Sequence, residues 1–214
     1  MGIFFIPYLF FSSSKIRNVA NLWINGIFVL LKLICSISYE IIGENNIPKK
    51  PVIVASKHQS TFETFLLFKI INKSIFIHKK ELFFIPIFGL YLKKCNMIAI
   101  NRNEGPKAMR KILNKVKEKI NNGHSIIIFP EGTRKKPGEL PSYKTGIAGI
   151  YKEAEISVLP VVVNSGLYWP KHTFIKKSGK IIIKFLEPIS PNLEKNNFLK
   201  IIESTIEKET NKII

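Results

Sequence analysis

Short runs of β-branched residues alternate with longer mixed segments along most of the chain after Tyr39. This alternation is typical of an α/β domain. The runs predict strands at Ser38 to Ile42, Val52 to Ala55, Ser74 to His78, Met97 to Asn101, Ser125 to Phe129, Val158 to Val163 and Lys180 to Leu186. Most of these runs are too apolar for one face to be solvated, so we expect helices on both faces of the sheet.

The segments between the strands have the length and composition of helices. They predict helices at Thr61 to Ile71, Pro106 to Asn121, Thr145 to Ala154 and Leu193 to Lys212. Pro106 suits the first turn of a helix, and Gly123 suits the position just after a helix end. The chain shows no internal repeat and no low-complexity linker.

The N-terminus is apolar and differs from the rest of the chain. Gly2 to Phe11 is too short to span a bilayer as a helix, and Val19 to Ile37 is interrupted by polar residues. Two readings stay open: a helical pair in one leaflet with the basic joint Ser12 to Arg17 at the headgroups, or a single span. We therefore predict a membrane-attachment segment at 1–38 and a catalytic domain at 39–214.

The charge is strongly positive, with a net charge of +18 and a pI near 9.9. Such a field attracts polyanions, either nucleic acid or anionic lipid headgroups, and the apolar N-terminus favours lipid. Abundant Lys, Asn and Ile also fit an AT-rich genome, so charge alone identifies neither partner. Cys35 and Cys95 match no metal-ligand spacing or disulfide framework, which indicates a reducing compartment.

A histidine and an acid flank the start of a predicted helix. Ser60 and Glu63 have the spacing of a capping box, which places His58 in the loop after a strand. Clefts of open α/β sheets form at that edge. A carboxylate on Nδ1 of His58 would leave Nε2 free to take a proton, with the substrate as nucleophile. Alternatively, Glu63 is only a cap and His58 only a polar loop residue.

A second polar turn follows the predicted strand at Ser125. In Phe129-Pro130-Glu131-Gly132-Thr133-Arg134, the proline and glycine predict a sharp turn. We expect Glu131, Thr133 and Arg134 to project from the end of the strand. An ordinary surface turn remains the alternative for this segment taken alone.

Together these two motifs resemble those of the glycerolipid acyltransferases, in particular the bacterial 1-acyl-glycerol-3-phosphate acyltransferases. Gly89 to Leu92 leading to Ile100-Asn101-Arg102 resembles the family's second motif, and Leu159-Pro160-Val161 resembles its fourth. The stretch from Lys79 to Leu82 resembles the segment ahead of the second motif. One residue departs from the pattern, because Glu63 stands where the family has Asp.

The resemblance implies an α/β fold with a mixed, largely buried sheet flanked by helices. It implies His58 as catalytic base with Glu63 as its partner. The residues that it implies for substrate binding are Arg102, Glu131, Gly132, Thr133, Arg134 and Lys79. Arginine suits this task because its planar fork binds phosphate oxygens in pairs. No metal and no cofactor is expected, and acyl-CoA or acyl-carrier protein is the expected donor.

The expected function is acyl transfer to the sn-2 hydroxyl of 1-acyl-glycerol 3-phosphate, giving phosphatidic acid in phospholipid biosynthesis. We expect location at the cell inner membrane, with the catalytic domain on the cytoplasmic face. Acylation of another lysolipid or of glycerol 3-phosphate is the nearest alternative. A non-catalytic basic protein that binds membrane surfaces or nucleic acid is the alternative from another class. The chain shows no nucleic-acid motif and no basic patch interleaved with aromatic residues.

Overall fold

The computed structural model describes residues 13–101, 105–140 and 142–214. The strands are β1 (Ile37–Ile42), β2 (Ile53–Ser56), β3 (Ser74–Lys79), β4 (Ile98–Ile100), β5 (Ser125–Ile128), β6 (Val158–Val163) and β7 (Gly179–Phe185). The helices are α1 (Ser13–Cys35), α2 (Phe62–Ile70), α3 (Phe88–Lys94), α4 (Pro106–Asn121), α5 (Gly146–Ala154) and α6 (Lys195–Thr210). Short 3₁₀ segments lie at Glu44–Asn46, Lys80–Phe84 and Ser165–Leu167.

All seven strands join one sheet in the order β1-β7-β6-β2-β5-β3-β4. Neighbouring strands run parallel except β6 and β7, which are antiparallel. The predicted mixed α/β sheet is therefore confirmed. Strands β2, β5 and β6 are adjacent at its centre, and each ends at the same edge because the three are parallel.

Helices cover both faces of the sheet, as the apolar strands predicted. The connection from β2 through α2 to β3 runs toward the β4 edge of the sheet. The connections from β4 through α4 to β5 and from β5 through α5 to β6 run toward the β1 edge. Right-handed crossovers therefore place α2 on one face and α4 with α5 on the opposite face. Helix α1 packs against α2, and α6 packs against α5 and β6. Val54, Ile127 and Val162 at the centre of the sheet are fully buried.

Helix α1 includes most of the segment that the sequence predicted as a basic joint, Ser12 to Arg17. Residues from Ser13 onward are helical, so the part of the joint that the structure describes belongs to α1. Arg17 does not face headgroups, because its guanidinium donates to the backbone carbonyls of Phe68, Ile71 and Ser74 at 3.1 Å. The expected headgroup position of Arg17 is therefore wrong. The apolar segment Gly2 to Phe11 lies outside the described residues.

One face of α1 packs on the domain and the other is exposed. Ile16, Ile24, Phe28 and Leu31 are buried, whereas Leu33 and Ile34 are 74% and 75% exposed. By length and composition, the helix over Lys15–Cys35 could also cross a bilayer. Whether 1–38 acts as a separate attachment segment stays a prediction, although its buried face shares the core of the catalytic domain.

The segment that resembles the second motif contains a helix that the sequence pattern did not predict. Helix α3 begins at Phe88, after Ile87 with a φ of 63°. Gly89 makes the chain reversal possible, because a Cβ there would lie 2.1 Å from the backbone oxygen of Phe83. Seven residues are too few for a clear helical period in the sequence.

Candidate active site

The candidate site lies where the carboxyl ends of β2, β5 and β6 meet. The loop after β2 carries His58, the turn after β5 carries Glu131 and Arg134, and the loop after β6 carries Ser165. Backbone contacts connect the first two loops, since the amide of Lys135 donates to the carbonyl of His58 at 2.8 Å. Open α/β sheets form ligand clefts at such an edge.

His58 is held by a carboxylate on one ring nitrogen. Its Nδ1 lies 2.8 Å from Oε1 of Glu63, and its ring stacks on Phe129 with ring centroids 3.8 Å apart. A carboxylate only accepts, so Nδ1 carries the hydrogen and Nε2 keeps its lone pair. Nε2 has no hydrogen-bond partner among the described residues. The side chain is 16% exposed, so the ring is anchored and still reachable.

Glu63 is fully buried and uses both carboxylate oxygens. Oε1 accepts from Nδ1 of His58, from the amide of Gln59 at 2.8 Å and from the amide of Ser60 at 2.7 Å. Oε2 accepts from the hydroxyl of Ser165 at 2.7 Å. The one carboxylate therefore fixes the backbone of the loop and the orientation of the imidazole together.

The predicted capping box is present in a modified form. Glu63 accepts from the amide of Ser60 as expected, but the helix begins at Phe62 and Thr61 is its N-cap. The hydroxyl of Ser60 accepts from the amide of Phe62 at 3.2 Å. The side chain of Glu63 therefore accepts hydrogen bonds at the helix start, as a cap does, and also contacts His58.

Only some of the residues that were predicted to project from the turn after β5 are exposed. Gly132 has a φ of 69°, a conformation that favours glycine, and Thr133 is exposed. Arg134 is half-buried, and its Nη1 donates to the hydroxyl of Thr61 at 3.2 Å. Glu131 is only 1% exposed, so the expectation that it projects from the turn is wrong.

Glu131 points inward, beneath the loop of His58. Its Oε1 accepts from the amide of His58 at 3.1 Å and lies 3.6 Å from Nζ of Lys57. Its Oε2 is buried and has no hydrogen-bond partner among the described residues. Burial raises the pKa of Glu131 from 4.5 to about 7, a shift that the nearby Lys57 and the His58 amide oppose. The side chain is positioned to support the loop of His58 from below.

Lys57 connects this acid to the C-terminal helix. Its Nζ donates to both oxygens of Glu207 on α6, at 2.7 and 2.8 Å. The hydroxyl of Tyr143 donates to Oε1 of Glu207 at 2.9 Å, and burial, followed by the charge of Glu207, raises the pKa of Tyr143. Lys57 thus lies between the carboxylates of Glu131 and Glu207, and the charge of Glu207 adds a smaller contribution to the effect of burial on the pKa of Glu131.

The structure brings some predicted site residues together and leaves others apart. His58, Glu63, Glu131 and Arg134 share hydrogen bonds or contacts with the loop after β2. Lys79 is exposed at the end of β3, and within the described residues its side chain forms no hydrogen bond or ion pair with these four residues. Arg102 lies outside the described residues. Within the described ranges, no group of three His, Cys, Asp or Glu side chains is arranged to hold a metal ion.

Several residues of the site carried no sequence signal. Ser165 and Gln59 are buried, and the amide of Gly166 donates to Oε1 of Gln59 at 3.0 Å. Lys57 and Glu207 are 150 residues apart in the chain. In the sequence, only the position of Gln59 beside His58 indicated that one of these residues belongs to the site. Contacts between segments that are distant in the chain leave no local pattern.

Comparisons with known proteins give a consistent result. A protein-family model described as "Acyltransferase" matches residues 38–164. The chain is 35% identical over 181 residues to a Pseudomonas aeruginosa protein named 1-acyl-sn-glycerol-3-phosphate acyltransferase, a match covering 85% of this chain and 70% of that protein. It is 32% identical over 183 residues to a Saccharomyces cerevisiae protein of the same name, covering 81% of this chain. The chain spans 60% of that yeast relative.

A solved structure has the same fold. It is the crystal structure of the 1-acyl-sn-glycerophosphate (LPA) acyltransferase PlsC from Thermotoga maritima. The TM-score is 0.76 at 25% sequence identity, and the match covers 94% of this chain and 81% of that chain. The similarity therefore includes the helices around the sheet as well as the segment that the family model matches.

Proposed function

The chain belongs to the acyltransferase family, and we propose that it transfers an acyl group from a thioester donor to the sn-2 hydroxyl of 1-acyl-glycerol 3-phosphate, giving phosphatidic acid. The observation that carries the proposal is the pair of His58 and Glu63, with Nε2 of His58 free at the edge of the sheet. The relatives named 1-acyl-sn-glycerol-3-phosphate acyltransferase support the choice of acceptor.

His58 acts as general base in this proposal. Its Nε2 takes the proton of the acceptor hydroxyl as that oxygen bonds to the thioester carbonyl carbon. Glu63 stabilises the resulting imidazolium through its hydrogen bond to Nδ1. When the tetrahedral intermediate collapses, the carbon–sulfur bond breaks, and the leaving thiolate takes the proton from Nε2. The products are the ester and the free thiol, and His58 returns to its starting form.

Arg134 is the residue that we assign to the acceptor's phosphate. Its single hydrogen bond to a described side chain, the one to Thr61, uses Nη1 and leaves most of its N–H donors available. Gly132 and Thr133 complete the turn, and a tight turn with an exposed hydroxyl suits contact with phosphate oxygens. Arg102 and Lys79 are further candidates for the same phosphate on the family resemblance. Glu131 we assign to support of the loop instead.

Membrane association follows from the same proposal, because both acceptor and product are lipids. The exposed apolar face of α1 and the net charge of +18 suit a surface of anionic headgroups. We place the enzyme at the cell inner membrane, with the catalytic domain on the cytoplasmic face. Acyl-CoA or acyl-carrier protein supplies the acyl group, and no cofactor takes part.

A thiol-release assay tests the proposal. The purified protein is given acyl-CoA or acyl-carrier protein, with lysophosphatidic acid, with monoacylglycerol or with no acceptor, and free thiol and lipid product are measured. We expect thiol release that depends on lysophosphatidic acid, matched by phosphatidic acid. Monoacylglycerol lacks only the phosphate and should be a poor acceptor. Equal use of the two acceptors contradicts the phosphate assignment, and no acceptor-dependent release contradicts the proposed reaction.

A further inference from the structure

A basic cleft lies beside the loop of His58. It is a cavity of about 340 Å³ between the turn after β5 and the loop after β6. Four lysines line it: Lys135, Lys136, Lys171 and Lys177. We call this cavity the basic cleft. Gln59, the residue next to His58, forms part of its wall.

The cleft carries a surplus of positive charge. None of the described residues that line it is acidic, and one carboxylate nearby, Glu139, pairs with Lys135 and accepts from the amide of Lys136. Lys171 donates to the carbonyl oxygen of Arg134 at 2.6 Å. The ammonium groups of Lys136 and Lys177 form no ion pair with any described residue. A concave surface with unpaired ammonium groups concentrates anions.

Gln59 adds a polar group without a partner. It is 1% exposed, its Oε1 accepts from the amide of Gly166, and its Nε2 is buried with no hydrogen-bond partner in the part of the chain that the structure describes. Unsatisfied buried donors are rare in folded proteins. The donor belongs to a residue of the cleft wall, so a ligand with acceptor oxygens or amides would satisfy it.

The apolar part of the wall indicates which kind of anion the cleft would bind. Pro137, Leu167 and Pro170 line the cleft together with the lysines. An isolated inorganic anion needs no such surface, whereas an anion attached to a chain of methylenes and amides does. The cleft also adjoins the loop that carries the base, because Gln59 in its wall follows His58 and the amide of Lys135 donates to the carbonyl of His58 at 2.8 Å.

We propose that the basic cleft binds the phosphopantetheine part of the thioester donor, with its phosphate on the lysines and its amide-bearing arm along the wall toward His58. This inference rests on the proposed acyl transfer. The arm is long and flexible, so the phosphate need not lie at the reacting thioester. The acceptor's phosphate has a separate assignment at Arg134, whose guanidinium lies at Thr61. Coenzyme A and carrier protein share phosphopantetheine, and both are sources of this ligand.

Charge reversal at the two unpaired lysines tests the cleft. The double variant Lys136→Glu with Lys177→Glu leaves every described hydrogen bond of the site in place. The matched control is Lys200→Glu with Lys208→Glu, two exposed positions on α6 that give the same change in net charge. KM is measured for acyl-CoA, for acyl-carrier protein, for acyl-pantetheine and for lysophosphatidic acid, and melting temperature is measured alongside.

We expect the cleft variant to raise KM about ten- to a hundredfold for the phosphorylated donor that the enzyme uses. KM for acyl-pantetheine, which has no phosphate, and KM for lysophosphatidic acid should match wild type, as should melting temperature. The control should match wild type throughout. A rise confined to acyl-CoA or to acyl-carrier protein identifies which source is used. An unchanged donor KM, or a rise in acceptor KM instead, overturns the assignment.

The experiments distinguish an incorrect reaction from an incorrect assignment of the ligand in the basic cleft. If the wild type forms no phosphatidic acid from any donor, the reaction is contradicted. Binding of coenzyme A alone, measured by calorimetry on wild type, cleft variant and control, then tests the cleft directly. Equal binding by all three proteins, or no binding by wild type, overturns the cleft assignment.

Discussion

At the scale of single residues, Glu63 connects the helix start to the base. Glu63→Gln should preserve the fold, because the amide oxygen still accepts from Gln59 and Ser60, and the hydroxyl of Ser165 can turn to accept from the new amide nitrogen. The charge that stabilises an imidazolium on His58 is lost. We expect turnover to fall about a hundredfold or more with little change in melting temperature.

Steady-state kinetics and thermal unfolding of Glu63→Gln are compared with those of wild type. Because the acceptor's contacts are unchanged, its KM should stay near the wild-type value and the loss should appear in kcat. Normal turnover with lowered melting temperature would mean that Glu63 is a helix cap and nothing more.

We expect Glu131 to make the stability of the fold depend on pH. Its pKa is raised from 4.5 to about 7 by burial, so between these values the folded protein holds a proton that the unfolded chain has released. Stability from this group is therefore complete below pH 4.5 and is lost as pH rises through about 7. Glu131→Gln mimics the neutral form and should lack this dependence.

Urea unfolding of wild type and Glu131→Gln across that pH range measures the effect. The free energy of unfolding of wild type relative to the variant should fall with rising pH and level off above the raised pKa. A difference that stays constant with pH would show that Glu131 remains ionised in the folded protein.

The sequence predicted the local part of the site and missed the rest. His58 and Glu63 were found because five positions of spacing and a helix start bring them together. The burial of Glu131 was missed, since its partner Lys57 comes from another loop. Ser165 was missed for a similar reason, because it reaches Glu63 across 102 positions of chain.

At the scale of elements, Arg17 joins α1 to the end of α2. Its guanidinium satisfies carbonyls at Phe68, Ile71 and Ser74, the hydroxyl of Ser74 and the face of the Phe68 ring. Arg17→Ala removes the hydrogen bonds from the guanidinium to these carbonyls and the contact with the ring. We expect the free energy of unfolding to fall by roughly 2 to 3 kcal/mol, an effect that chemical denaturation measures.

Lys32→Ala is the matched control for Arg17, because Lys32 is an exposed cation in the last turn of the same helix. Its stability should stay close to that of wild type. Equal stability of the two variants would mean that α1 contributes little to the fold through Arg17.

The elements themselves were largely predictable from the sequence. Each buried strand is a compact β-branched run, and α4 has clear start and stop residues at Pro106 and Gly123. The pairing of the strands was not predictable, because β1 joins β7 across most of the chain and hydrogen-bond register leaves no local signal. Helix α3 was not predicted because it is short.

At the scale of the whole molecule, we expect the exposed face of α1 to hold the enzyme on membranes. Leu33→Gln with Ile34→Gln should weaken vesicle binding about tenfold or more, because each apolar side chain that leaves lipid loses roughly 2 kcal/mol. Both residues are exposed, so melting temperature should not change. Deleting 1–38 is a less specific test, because it also removes Arg17 and the start of β1.

Flotation with liposomes measures this binding. Leu140→Gln makes the same chemical change at a loop position that is 84% exposed and distant in sequence from α1, and it serves as the control. If the α1 variant floats as well as wild type and the control, the domain binds membranes through another surface.

The proposed reaction depends on His58 as the base, and one measurement tests this role directly. His58 lies in a loop, where its ring stacks on Phe129 and contacts Glu63, so we expect His58→Ala to stay folded with a melting temperature close to that of wild type. Formation of phosphatidic acid from lysophosphatidic acid and the thioester donor is then compared between the folded variant and wild type. We expect turnover to fall below about one per cent, since loss of a general base costs about a hundredfold or more. Turnover of several per cent or more in the folded variant would contradict it.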